Sequence, residues 1–322
     1  MVQTYSIAQG RLHADDIAAG PDLSATWIDL LNPTPDEAKT LGDHLGISIP
    51  DRADMEEIEL SSRLFWENGA AFMTAILPAG TDGDDPEMAP VSFILSGKQL
   101  ITVRYHDPRA FATFPTQAQR MAMELPDADT ILMALFEAII DRLADVLERA
   151  GHDIDAVSAT IFRKADTTAA PRDFRGVLEK IGRKGDLNSN IRDSLVTMER
   201  LVSFLGHVAS ERAWGPDLRE RVKTLSEDAR SLTDHSGFLS QKITFMLDAS
   251  LGMINIEQNA TIKIFSVVAV IFLPPTLIAS IYGMNFTYMP ELSWLFGYPF
   301  AIGLMIAAAI LPYLYFKYRR WL

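Results

Sequence analysis

Nothing constrains this chain more than a run near its end, Ile264 to Tyr282, that carries no charged residue. Its hydroxyls, apart from Tyr282, are Ser266, Thr276 and Ser280. A helix rising 1.5 Å per residue needs about 20 apolar residues to cross a hydrocarbon core roughly 30 Å thick. A second uncharged run, Trp294 to Phe316, follows after a short loop, and between Ile264 and Phe316 the single charge is Glu291. Only helices or closed barrels satisfy their backbone groups in lipid, so two transmembrane helices are expected.

The first span is patterned. Asn259, Ile262, Ser266, Ala269, Leu273, Thr276 and Ser280 recur at alternating steps of three and four, the spacing of one seam on a helix that packs against copies of itself. Small and hydroxylated residues alternate there with apolar ones, as on a pore-lining face. The same residue types mark ordinary helix–helix contacts in lipid, so the seam alone leaves pore lining and packing both open.

Immediately after the span comes Tyr282-Gly283-Met284-Asn285-Phe286. This resembles the signature of the CorA family of magnesium transporters, Gly-Met-Asn at the outer end of the first of two C-terminal helices. Ile256-Glu257-Gln258-Asn259, Phe272-Leu273-Pro274-Pro275-Thr276, Met289-Pro290-Glu291-Leu292, Phe296-Gly297-Tyr298-Pro299, Tyr315-Phe316-Lys317 and Trp321-Leu322 are similar to the bacterial branch. The resemblance is close over Leu247 to Leu322, about a quarter of the chain. It implies a funnel-shaped homopentamer with the first span inside and the second on the lipid side. It also implies Gly283, Met284 and Asn285 as selectivity filter, Mg2+ as substrate and regulatory ligand, and Co2+ and Ni2+ as further candidate substrates. In the family a stalk aspartate at the spacing of Asp248 takes part in an intersubunit regulatory magnesium site, a role the resemblance carries to Asp248. The other reading is a surface aspartate paired with Lys242 or with nothing.

Composition excludes several alternatives. With 42 acidic against 29 basic residues the formal charge is −13, which argues against nucleic acid as a partner. There is no cysteine, hence no disulfide, thiolate metal site or thiol nucleophile. No pair among the 6 histidines has zinc-site spacing, and no nucleophile–base pair or phosphate loop appears, so neither an enzyme nor a cofactor is expected. The amino terminus lacks the basic region and apolar run of a secretory signal. Lys317, Arg319 and Arg320 follow the second span, Lys263 precedes the first, and the loop between has no Lys or Arg. The positive-inside bias then puts both termini in the cytoplasm of an inner-membrane protein and the loop outside.

The expected organisation is an α+β cytoplasmic domain followed by a long stalk helix and two spans. Residues 1–128 form the α/β domain, 129–215 two long antiparallel helices and 216–260 the stalk. Residues 261–285 form the first span, 286–293 the outer loop, 294–316 the second span and 317–322 a basic tail. Thr34, Pro35 and Glu37 predict a capped helix start, and Asn68-Gly69 a hairpin turn. The acidic turn from Asp82 to Glu87 is expected to be a solvated connection, and His106 a turn residue. Glu148, Asp153 and Asp155 are expected on a solvated helix face. No proline interrupts Asp217 to Leu273, so one helix of about 66 residues, on the order of 100 Å, can run to Tyr282 with a bend at Pro274-Pro275.

Chemically, Mg2+ dehydrates reluctantly, and an amide oxygen on Asn285 can accept from its coordinated water without trapping the ion. Gly283 is expected to let the chain leave helical geometry, and Met284 to pack the turn. Thr276 and Ser280 offer further oxygens, Leu273 and Ile262 hydrophobic gates, Asn259 an inner polar ring, and Glu291 an outer charge that attracts cations. Two spans cannot enclose a polar path, so a homo-oligomer in membrane lipid is required. The rival readings are a Zn2+ transporter of the ZntB type, which usually carries Gly-Val-Asn, and a membrane-tethered regulatory protein that conducts nothing.

Overall fold

The computed structural model describes residues 1–8, 10–15, 21–83, 86–120, 125–162, 173–285 and 289–319. Strands β1 (Val2–Ala8), β2 (Arg11–Ala14), β3 (Trp27–Leu31), β4 (Leu64–Glu67), β5 (Ala70–Ala79), β6 (Glu87–Ser96) and β7 (Gln99–Arg104) form one mixed sheet. Its order is β2-β1-β3-β7-β6-β5-β4. Only β3 and β7 pair in parallel; the other neighbours are antiparallel. The helices are α1 (Pro35–Leu45), α2 (Arg52–Glu56), α3 (Leu60–Arg63), α4 (Arg109–Arg120), α5 (Ala128–Phe162), α6 (Phe174–Glu211), α7 (Pro216–Tyr282) and α8 (Gly297–Tyr318). The chain divides into two compact units, Met1–Leu247 and Asp248–Leu322.

Strand alternation gives the sheet two apolar faces. Ile28, Leu30, Phe72, Ile94, Ile101 and Val103 share one cluster with Leu41 and Met55 of α1 and α2. The opposite face carries Trp27 and Phe93, which meet Phe111 and Phe114 of α4 and Phe136 of α5; the Phe93 and Phe136 rings are edge-to-face at 4.8 Å. The predicted cap of α1 is present, with Thr34 Oγ1 accepting from Glu37 N and Glu37 Oε2 from Thr34 N. Asn68 and Gly69 both have positive φ (51° and 78°), as a tight hairpin turn needs.

The free edge of β5 beyond the end of β4 is managed by proline and by α6. Pro78 has no N–H to expose, and the Ile76 N–H donates to Thr197 Oγ1 of α6 at 3.1 Å.

Three expected features acquire partners that the sequence did not show. Asp82 is exposed in the connection between β5 and β6, as expected, and its carboxylate in addition accepts from Arg109 of α4 and from Arg142 and Arg149 of α5. Those arginines, hydrogen bonds first, hold the Asp82 carboxyl well below the usual carboxylate range. His106 lies in the bend after β7, as expected, but is buried, and its Nε2–H donates to the Leu77 carbonyl at 2.8 Å. Burial pushes its pKa down, so the ring is neutral. Asp153 and Asp155 are exposed, as expected of a solvated face, and each also pairs across to a neighbouring helix, Asp153 with Lys184 of α6 and Asp155 with Lys242 of α7. Glu148 is exposed as well, one turn before His152 on the same helix face.

These pairs also orient the long helices. Asp129 meets Arg212 while Asp153 meets Lys184, so α5 and α6 run antiparallel. Glu137 meets Arg221 while Asp155 meets Lys242, so α5 and α7 run parallel in this unit. The second long helix ends at Glu211 rather than near Trp214, because Ala213 takes a positive φ (54°) and Trp214 turns back to be buried. Most of the turn expected at 164–173 lies outside the described residues, as do Arg320, Trp321 and Leu322.

At the centre of the sheet lies one buried ion pair. Asp29 of β3 accepts from Arg104 Nη2 of β7 at 2.8 Å and from Thr102 Oγ1 at 2.6 Å, and Thr102 in turn accepts from Trp27 Nε1 at 3.0 Å. Both charged side chains are under a tenth exposed. Breaking such a pair by removing one partner costs about 3–5 kcal/mol, because the other charge stays buried. Asp29→Ala is therefore expected to destabilise the protein by about that amount. Chemical denaturation of the purified chain checks it, and a loss below ~1 kcal/mol would show that Asp107, which Arg104 Nη1 already meets at 2.6 Å, compensates the charge.

Candidate conduit and its mouth

The second unit contains α8, the short turn Pro290–Ser293 and the end of α7. By length and composition α7 and α8 can each cross a membrane. The aromatic residues Trp294, Phe296 and Tyr298 gather where α8 begins, and Tyr313, Tyr315 and Tyr318 with Lys317 and Arg319 where it ends. That distribution matches interfacial aromatic belts with a basic flank at one end.

Burial along α7 is one-sided. Val267 is 3 % exposed, and Ile271, Pro274, Pro275, Ile278 and Tyr282 are partly buried. The seam residues Asn259, Ile262, Ser266, Ala269, Leu273, Thr276 and Ser280 are all exposed. At 100° per residue the two stripes lie roughly 150° apart around the helix. The single chain thus covers one face of its span and leaves the seam on the other.

Pro274 and Pro275 lie inside α7 without ending it. Having no N–H, they leave the carbonyls of Val270 and Ile271 without helical partners. Thr276 Oγ1 donates to the Phe272 carbonyl at 2.8 Å. Its only hydrogen is thereby committed to the backbone, and the oxygen turns lone pairs outward. A hydrated cation presents water hydrogens, so an oxygen restricted to accepting suits it.

The helix ends at the tripeptide. Gly283 N still donates to Ala279 O at 2.9 Å, and Met284 N then donates to Ile281 O at 3.2 Å, a tightened last turn. Gly283 is where the chain leaves helical geometry, as expected, and it does so without a positive φ there. Its smallness matters instead: a Cβ there would stand 3.2 Å from the Ala279 carbonyl oxygen. Met284 and Asn285 are exposed where the described part of the loop begins. Phe286 and the side chain of Glu291 lie outside the described residues.

Asp248 is exposed on α7, roughly 55 Å before Asn285 at 1.5 Å per residue. Lys242, its candidate partner in sequence, pairs with Asp155 instead, so that part of the surface reading is corrected. Among the described residues no group of three or more His, Asp or Glu side chains could hold a metal. One chain does not complete a cation site around Asp248. Sequence reasoning missed two features of the span, the covered stripe from Val267 to Tyr282 and the committed hydroxyl of Thr276. A threonine four residues after Phe272, next to two prolines, was the available signal for the second.

The contact at Gly283 is testable without reference to activity. Gly283→Ala should push the Ala279 carbonyl aside and weaken the last helical hydrogen bond, worth about 1 kcal/mol. Amide exchange at residue 283 should then speed up roughly fivefold while the rest of α7 is unchanged. An unaltered rate would mean that the turn absorbs the methyl group.

Comparison with known proteins agrees with this architecture. Residues 22–319 match the family described as "CorA-like Mg2+ transporter protein". The chain is 36 % identical over 323 residues to the magnesium transport protein CorA of Mannheimia succiniciproducens, covering 100 % of both chains. It is likewise 36 % identical to the magnesium transport protein CorA of Escherichia coli strain K12, again over 100 % of both. Among solved structures, the complete CorA magnesium transporter from Methanocaldococcus jannaschii shares the fold with a TM-score of 0.74 at 22 % identity, covering 100 % of this chain and 98 % of that one. An α+β unit, a helix continuous into a first span, a second span and a full-length relationship all converge: this chain belongs to the CorA family.

Proposed function

We propose that this protein carries Mg2+ across a bacterial inner membrane through a conduit lined by the α7 seams of several identical chains. Family membership supports the cation, because the full-length relatives are named as magnesium transport proteins. The resemblance implies five copies. The observation that carries the reading is the uncovered seam: one chain leaves Asn259 to Ser280 exposed opposite its buried stripe, and the seam runs out at the Asn285 amide. Closed cyclic packing of identical helices covers such a face and encloses a path at once.

The residues then have separable tasks. Mg2+ keeps its octahedral water shell, so selection acts on the hydrated ion. A ring of Asn285 carbonyl oxygens accepts hydrogen bonds from that shell, and neutral amides let the ion leave again. Gly283 permits the close approach to the Ala279 carbonyl that tightens the turn. Met284 packs beside the mouth. Thr276 and Ser280 repeat the acceptor pattern below, Leu273 and Ile262 supply apolar constrictions, and Ser266 and Ala269 keep the seam narrow between them. Asn259 forms the inner polar ring, and Glu291 raises the local cation concentration outside. The membrane potential drives the ion inward, so transport calls on no nucleotide, cofactor or chemical step. Both termini lie in the cytoplasm and the loop between the spans faces out.

Cytosolic Mg2+ held between chains at Asp248 favours the closed conduit, and its loss frees the stalks. One exposed carboxylate per chain fits a shared site better than a private one.

Purified protein in liposomes tests the whole reading. Mg2+ uptake should fall at least about tenfold in Asn285→Ala, equivalent to about 1.4 kcal/mol. Asp248→Ala should keep uptake and lose its inhibition by Mg2+ on the cytoplasmic side. Unchanged uptake in Asn285→Ala contradicts the amide filter, and retained inhibition contradicts the Asp248 site. Zn2+ uptake that outcompetes Mg2+ would favour the ZntB-type reading, and no cation uptake at all the tethered regulator.

A further inference from the structure

Within the first unit, α7 is gripped by a buried polar contact that the conduit does not use. Asn188 of α6 is 1 % exposed and Ser236 of α7 is fully buried. Asn188 Nδ2 donates to the Ser236 carbonyl at 3.1 Å and to Ser240 Oγ at 2.8 Å, and Ser236 Oγ donates to Asn188 Oδ1 at 3.2 Å. Glycines flank this contact. A Cβ on Gly185 of α6 would lie 3.6 Å from Ile243, and one on Gly151 of α5 would lie 3.6 Å from Leu239. Side chains of α7 therefore lie against smooth patches of backbone on both neighbouring helices.

A lone amide among apolar neighbours is best accounted for by register, since every other alignment leaves it unpaired. Here one other alignment does not. Ser236, Ser240 and Thr244 recur at i, i+4 and i+8 of α7, and Leu239, Ile243 and Leu247 do the same on the adjoining stripe. Shifting α7 by one turn toward its own amino terminus, about 5.4 Å, puts Ser240 and Thr244 against Asn188. The same shift puts Leu247 where Ile243 meets Gly185 and Ile243 where Leu239 meets Gly151. A one-turn shift the other way puts Leu232 in the place of Ser236, which takes the hydroxyl donor from Asn188 Oδ1, and brings His235 to where Leu239 meets Gly151. At this contact the sequence of α7 thus favours a second register in one direction, while nearer the start of the helix Ser226 and Thr233 would take the buried places of Val222 and Ala229. Lys242–Asp155 and Arg221–Glu137 would part in that shift, but both pairs are partly exposed and therefore weak.

We infer that Asn188 is a two-position register clamp on α7, and that a one-turn axial step at this clamp accompanies the change between closed and conducting states. The inference rests on the regulated-conduit reading above. Asn188 touches no transported ion in this account; it positions the helix that lines the path.

Cysteine cross-linking reads the register directly, because the chain has no cysteine of its own. Gly185→Cys with Ile243→Cys reports the present alignment, and Gly185→Cys with Leu247→Cys the shifted one. In membranes oxidised under millimolar Mg2+ the first pair should cross-link. After chelation of Mg2+ the second should gain about tenfold in yield. Asn188→Leu, which removes the clamp but keeps the packing, should make the second pair cross-link whether or not Mg2+ is present. Equal yields of the second pair with and without Mg2+ in the otherwise unaltered chain would overturn the step. Retained Mg2+ dependence in Asn188→Leu would overturn the role of Asn188. Mg2+ uptake measured in the same membranes separates the two levels. A chain without uptake contradicts the transport reading, whereas uptake with a fixed register contradicts only the clamp.

Discussion

Helix α7 must satisfy its own backbone for 67 residues, in water at one end and in hydrocarbon at the other, and the rest of the chain is built around that requirement. In lipid an unpaired N–H or carbonyl has no solvent to turn to. The two prolines at 274 and 275 are the only breach among the described residues of the helix interior, and it falls inside the span. The Thr276 hydroxyl shares the next carbonyl of that turn, Phe272 O, at 2.8 Å. Polarity is thereby concentrated where a path for ions would want it, with the rest of the span left apolar.

In the first unit the same helix is held by side chains instead. Glu137 and Asp155 of α5 pair with Arg221 and Lys242, and Asn188 of α6 binds Ser236 and Ser240. The sheet supports this arrangement indirectly. Phe93 packs edge-to-face on Phe136 of α5, and Thr197 of α6 accepts from the exposed edge of β5. The three arginines on Asp82 join the turn after β5 to α4 and α5. A chain of this kind carries the position of the sheet into the position of the long helices through contacts that are individually ordinary.

Much of the fold was legible from residues alone, and the failures have a common cause. The spans, the capped start at Thr34, the Asn68-Gly69 turn and the unbroken α7 follow from local chemistry: length, caps, positive φ and the absence of proline. What depends on distant partners was not legible. Asp82 looks like any acidic turn until three arginines from later helices arrive around it. His106 sits in a turn as its sequence context suggests, and only the Leu77 carbonyl, 29 residues earlier, explains its burial. Strands β1 and β2 carry little alternation and are held by pairing with β3 and with each other. At the candidate site the seam spacing was visible, but the covered stripe opposite it was not, because burial is a property of the packed helix rather than of the pattern.

Whether the seam faces water decides the account most directly, and the cysteine-free chain allows the measurement. Single cysteines at Thr276, on the seam, and at Ile278, on the covered stripe, would be exposed in native membranes to a charged, membrane-impermeant thiol reagent. The account predicts that Thr276→Cys reacts at least about tenfold faster than Ile278→Cys, and that Mg2+ slows it, since ions and reagent share one aqueous path. Equal reactivity at the two positions, or an inert Thr276→Cys in a protein that still transports Mg2+, would contradict it.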